Sequence, residues 1–290
     1  MGRRFGLVVL TVVALLVAGW SAWWYVLATR IDSGFVAWQS ARRAEGWRID
    51  VGAHHLGGWP LAARLDLSDV HLRGGAPALP IALAWDAAGL ALEVAPLDPS
   101  TLTIAARGEQ RIDLGGQALS LSGGSLIGRL PVDRPGPPWI IDIAAEAIHV
   151  RAAEGDAALV GHLGAHAVLD PGALAAGAAL AVTLEAGRIE LPRDRSWPLG
   201  ERIEALAADA TISGPVPPAG APATRAHAWR RAGGTAALRS GTLRWGPLDA
   251  TGSGHGGLDA ALQPVAEGTA RVTGWAQALD VLAAHHVISD

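Results

Sequence analysis

The sequence predicts a mainly β protein: an N-terminal transmembrane helix followed by a mostly antiparallel, curved β-sheet domain with short flanking helices. Three observations predict it. An uncharged, apolar stretch runs from Phe5 to Thr29. From Arg48 onward, charged and apolar residues alternate with a period of two, the signature of strands with one wet and one buried face. Gly-Gly, Asp-Pro and Pro-Gly pairs divide the remainder into short segments, which favours hairpins over parallel units joined by helices.

The chain of 290 residues can bury a core without covalent staples. It has no cysteine, which excludes disulfides, thiolate metal sites and a cysteine nucleophile while leaving the redox compartment open. All 23 basic residues are arginine, which together with abundant Ala and Gly reads as the imprint of a GC-rich genome. A net charge of −4 and a pI near 6.2 argue against neutralising phosphates, so no nucleic-acid partner is expected.

The first element is the anchor. Arg3 and Arg4 form a cytoplasmic tail of residues 1–4, and residues 5–28 are long enough as a helix to cross a hydrocarbon core of roughly 30 Å. Trp20, Trp23, Trp24 and Tyr25 cluster at the far end, where amphipathic rings favour the lipid–water boundary. The paired arginines keep the N-terminus inside, so residues 29–290 are expected in the periplasm of a bacterial inner membrane protein. A cleaved signal peptide is the competing reading. The apolar run is too long for one, and tryptophans occupy the positions where small residues would be needed for cleavage.

A short second helix is expected from Asp32 to Gly46, with Asp32 or Ser33 as its cap and Gly46 as its stop. Strands follow. Arg48-Ile49-Asp50-Val51, Arg111-Ile112-Asp113-Leu114 and Arg188-Ile189-Glu190-Leu191 repeat one pattern, with Arg and a carboxylate sharing a face. Such rows read as solvated sheet surface, where exposed pairs contribute roughly 0 to 1 kcal/mol. Other strands are expected at Leu61–Leu72, Thr101–Ala106, Ala118–Ser122, Trp139–Ile143, Ile148–Arg151, Val182–Glu185, Thr242–Trp245 and Ala270–Thr273. A final helix is expected from Trp275 to His286, with Trp275, Leu279 and Leu282 on one face. Proline-rich stretches at 131–138 and 213–222 cannot be central strands and read as a lobe boundary and a long loop.

Candidate chemistry is sparse. Gly252-Ser253-Gly254-His255-Gly256-Gly257 fits a dinucleotide-binding pattern in letters only, because Leu258 to Leu262 reads as strand rather than helix, and a Gly-rich turn or bulge is expected there. His54-His55, His285-His286 and the pair His162 and His166 lack a third ligand at metal-binding spacing. No serine sits in a nucleophile elbow. No enzyme activity, cofactor or metal is expected.

Two segments carry a family resemblance. Gly46 to Leu72, with Gly57-Gly58-Trp59-Pro60-Leu61 leading into an alternating strand, resembles a bacterial envelope family known as domain of unknown function 2125. Leu243-Arg244-Trp245-Gly246-Pro247-Leu248, then Gly252-Ser253-Gly254 and Gly274 to Val287, is similar both to that family and to AsmA-like proteins. The resemblance implies an inner-membrane anchor, a curved periplasmic sheet and a lipid-related envelope role, and it brings no catalytic residue. It also implies further strands after Gly274–Val287, where this sequence ends at Asp290.

The functional expectation is that the sheet binds or conveys lipid or another apolar envelope molecule. A groove for it would be floored by apolar residues of the two-period strands: Ile49, Val51, Leu65, Leu67, Ile112, Leu114, Ile189 and Leu191. The alternative is a non-catalytic envelope scaffold whose partner is another envelope protein.

Overall fold

A computed structural model describes residues 2–74, 82–133, 136–152, 155–170, 172–173, 177–193, 196–215 and 221–284. A long helix, α1 (Gly2–Ala44), comes first, followed by β1 (Arg48–Gly57), β2 (Ala63–Gly74), β3 (Leu83–Ala95) and β4 (Asp98–Leu114). Next come β5 (Gln117–Ser122), β6 (Ser125–Pro131), β7 (Trp139–Ala152), β8 (Ala158–Leu169), β9 (Ala178–Glu190) and β10 (Arg202–Ser213). The chain closes with α2 (Pro222–Arg231), β11 (Thr235–Trp245), β12 (Leu248–Leu258), β13 (Pro264–Thr273) and α3 (Trp275–Ala284). All 13 strands belong to one sheet, each hydrogen-bonded to its sequence neighbours as an antiparallel meander. The one departure is that β5 and β6 lie end to end between β4 and β7 and act as a single interrupted strand.

The expected mainly β fold and antiparallel pairing are what the chain adopts, with several corrections in detail. The anchor and the short second helix are one continuous helix, because nothing between Ala28 and Ser33 breaks it and Asp32 caps nothing. Trp139–Ile143 and Ile148–Arg151 are halves of β7; the Gly-rich motif lies inside β12, opposite a bulge in β11 rather than in a turn, and of the strand expected at Leu258–Leu262 only Leu258 is in β12, the rest forming the turn to β13. Strands β3, β6, β8 and β10 and helix α2 were not expected at all. The last helix is described as far as Ala284, so its expected end and His285-His286 lie outside the described residues. The sheet ladder runs on past both proline-rich stretches, with β6 pairing β7 and β10 pairing β11.

Five of the positions with left-handed backbone fall on one transverse line: Asp69, Gly108, Gly124, Ala147 and Arg188, with φ between 48 and 68°. At Asp69, Gly124, Ala147 and Arg188 the side-chain alternation shifts by one residue, as it does at a bulge. In β2 the inward residues are therefore Leu65 and Leu67 before Asp69, but Val70 and Leu72 after it. In β7 they are Ile143 and Ala145 before Ala147, then Ile148 and Val150. Without that shift these strands would turn their apolar half outward midway. Glycine is required at position 124, where an added Cβ would overlap the Glu146 carbonyl oxygen.

The core lies at one end of the sheet. Leu27 and Ala28 of α1 pack on Ala63 and Val94, while Ile31 and Phe35 pack on Leu65, Leu67, Val70, Ala87, Leu90 and Leu92. Burying each Leu contributes roughly 1.5 to 3 kcal/mol, so this seam holds the helix along β1 to β3.

Candidate functional site

Following the pairing register across the sheet shows which residues share a face. The row through Leu65 continues in order as Leu92, Ile104, Gly128, Ile143, Ala165, Leu184, Ala208, Gly241, Gly252 and Ala270, with no polar side chain in it. Parallel rows have the same character. Among described strand positions on this face the polar residues are His54, Gln110 and Gln117. The opposite face carries the charges, including Arg64 and Arg107 paired to Asp66, Arg73 and His71 to Asp86, His166 to Asp142 and Arg239 to Asp209. The hydrogen bond from His71, reinforced by Arg73, holds the Asp86 carboxyl below its ordinary range.

Beyond the strands that α1 covers, burial on the apolar face is deepest beside the left-handed line, at Ala145, Ile148 and Ala186. It falls away at Ile141, Ile143 and Leu169, toward the strand ends. That gradient is the mark of a sheet creased toward its apolar side, a trough whose floor is the crease. A hollow of about 210 Å³ opens in the floor at the break between β5 and β6, lined by Gln110, Leu121, Leu126 and Ile148. Gln110 is 2% exposed and serves the crease itself. Its amide nitrogen donates to the Arg107 carbonyl at 3.1 Å, and its oxygen accepts from Trp85 Nε1 at 3.2 Å.

α1 closes the trough over β1 to β3, and from β7 onward no described element lies over most of its width. Near β11 the far ends of the strands are topped by Trp245, which meets Trp197 with ring centroids 6.3 Å apart. α2 is pinned by Trp229 Nε1, which donates to the Ser213 carbonyl at 2.9 Å, and only Ala278 of α3 is buried.

The expected groove residues borne by strands lie on the apolar side, but in different settings, and Leu191 follows the end of β9. Ile49, Leu65 and Leu67 are buried, the two leucines beneath α1, so they belong to a closed core rather than to an open surface. Val51 packs against the same core. Ile112 is half-buried beside Trp85, Leu114 is exposed at a strand end, and Ile189 and Leu191 lie toward the open part of the trough. The open floor comes chiefly from β7 to β11, where period-two reading singled out Ile189 in β9 and nothing in β7, β8, β10 or β11, because Ala-rich stretches such as β8 and β10 alternate small with small.

The aromatic group, expected at a lipid–water boundary, makes contacts with the sheet. Trp20 Nε1 donates to the Pro60 carbonyl at 2.9 Å, Trp23 Nε1 to Pro96 at 3.0 Å and Trp24 Nε1 to Ala62 at 2.7 Å, while Tyr25 is exposed. They bolt the helix to the turns at one end of the sheet. In the third Arg–acid copy, Arg188 sits on the crease, while Glu190 pairs with Arg202 on the outer face. Among the described residues no group of three His, Asp or Glu side chains is placed to hold a metal ion.

No curated protein and no solved structure matches this chain. A family model does match, over residues 24–290, from the helix that closes the trough to the last residue. The chain belongs to that family, described as an uncharacterized protein conserved in bacteria, domain of unknown function 2125.

Proposed function

We propose that the protein is a membrane-anchored carrier in the bacterial envelope that holds an acyl chain or another long apolar molecule in the open part of the trough. The observation that carries this reading is the continuous apolar face, covered by α1 at one end and uncovered over most of β7 to β11. Monomeric proteins rarely expose contiguous apolar surface beyond a few hundred Å² unless something occupies it. Small side chains such as Ala165, Ala208 and Gly241 leave room above the floor for a chain of methylenes, and each buried methylene contributes about 0.8 kcal/mol.

α1 is long and apolar enough to cross a membrane. With Arg3 and Arg4 held inside, the sheet lies on the periplasmic side. A reporter active only outside the cytoplasm, fused after Asp290, checks this; activity of a cytoplasm-only reporter at the same junction overturns it.

Leu206 and Leu238 face the open trough at 37% and 40% exposure. Leu206→Asp and Leu238→Asp are expected to cut the lipid retained in native mass spectrometry of the gently purified protein several-fold. Their stability is expected to stay within about 0.5 kcal/mol of the parent, as for surface changes. Unchanged lipid content in both variants, or no lipid in the parent, removes the carrier reading.

A scaffold role has one observation in its favour: every residue of the edge strand β13 is exposed. Such an edge can accept a strand from a partner. Recovery of a stoichiometric envelope protein without lipid, lost on Thr269→Pro, would favour it.

A further inference from the structure

The two most exposed large apolar side chains among the described residues are not on the apolar helix. They are Leu97, at 86%, and Leu61, at 83%. Leu61 lies between β1 and β2 and Leu97 between β3 and β4, and because Ala63 pairs with Val94 the two connections sit side by side at one end of the sheet. Trp59, in the first connection, is also exposed and donates from Nε1 to the Ser21 hydroxyl at 3.3 Å. Single exposed leucines are ordinary. Three large apolar side chains on two neighbouring turns, both hydrogen-bonded to the same stretch of a membrane-length helix, form a surface.

The position of that surface along α1 gives its partner. From Arg4 to Trp23 the helix rises about 30 Å, the thickness of a hydrocarbon core. Apolar side chains are exposed all round it from Phe5 to Val17, as in a span facing lipid. Trp20, Trp23 and Trp24 then bind the carbonyls of Pro60, Pro96 and Ala62, so the two turns are fixed at the level where the span ends. Beyond this level α1 is committed to the sheet through Leu27, Ala28, Ile31 and Phe35. The domain is therefore not tethered through a free linker.

We infer that the turns bearing Trp59, Leu61 and Leu97 form a rim that inserts into the interface of the lipid bilayer crossed by α1, seating the sheet on the membrane surface. The inference rests on α1 crossing the bilayer, as proposed above, and is independent of any cargo. The rim adds two leucines and a tryptophan to the aromatic belt of the helix, and it brings the β1–β4 end of the trough to the headgroups.

The absence of cysteine makes single-site labelling direct. Leu61→Cys, Leu97→Cys, Leu10→Cys and Leu114→Cys are each made in the full chain and labelled with an environment-sensitive fluorophore. The proteins are reconstituted into phosphatidylcholine vesicles containing lipid with a nitroxide on the upper acyl chain. Leu10 is an exposed position on the span, and Leu114 is exposed at the opposite end of the strands. Quenching at 61 and 97 at least twice that at 114 is the expected result. Quenching at 10 with 61 and 97 no different from 114 overturns the rim while leaving the span intact. No quenching at 10 shows that the helix does not cross, and both fall.

Discussion

Gln110 is the residue on which the crease depends most. It is the buried polar side chain among the described residues, and its amide completes hydrogen bonds that the bulge in β4 takes away from the ladder. Gln110→Leu keeps the volume but leaves the Trp85 indole N–H and the Arg107 carbonyl without partners. A loss of about 1 to 3 kcal/mol is expected, the cost of orphaned buried groups, and thermal melts in detergent followed by tryptophan fluorescence would measure it. A drop no larger than that of a surface control would show that the bulge holds without it. Nothing in the letters around Gln110 marks this role. It stands one residue before the Arg-Ile-Asp-Leu pattern, and on alternation alone a polar residue there belongs on whichever face Ile112 takes, the apolar one.

Among the elements, α1 does two kinds of work, and the boundary between them is the tryptophan group. Before it the helix is exposed all round; after it Leu27, Ala28, Ile31 and Phe35 are taken up by the sheet. Leu27→Ala is expected to destabilise the folded protein by about 2 to 3 kcal/mol, the lower part of the range for a buried leucine truncation. Val13→Ala, on the exposed half, is expected to change the melt in detergent hardly at all. Chemical denaturation of the two proteins side by side is the check, and equal midpoints would mean that the helix is not held by this seam. The long apolar helix was legible in the sequence because apolar length alone gives it. Its continuation into the sheet was not, since Asp32 and Ser33 look like a cap wherever a helix is free to start, and only the sheet beneath them selects the uninterrupted form.

On the scale of the whole molecule, packing is unevenly spread. β2 and β3 are covered on the apolar side by α1, whereas β13 is exposed along its full length and pairs on one side only. Stability should follow the same gradient, since local opening tracks contact density. Hydrogen exchange is expected to be slowest in the amides of β2 and β3 and fastest in β13, with β7 to β10 between them. Addition of a trough ligand should slow β7 to β10 more than β2 and β3, which the helix already protects. Uniform protection across the sheet would contradict this order.

The sequence by itself determined the apolar helix, the strand chemistry, the antiparallel hairpins and the membership of one face by residues such as Ile49, Leu65, Ile112 and Ile189. These follow from local period and composition, which a single chain carries in its letters. Only the tertiary structure decided where each strand changes phase, because Asp69, Ala147 and Arg188 take a left-handed backbone with their neighbours across the ladder. It also decided which apolar residues α1 covers and which it leaves open. Leu65 and Leu206 have the same side chain and the same alternation. What separates a core leucine from a trough leucine is whether a helix lies over it, and that depends on contacts far apart in the chain.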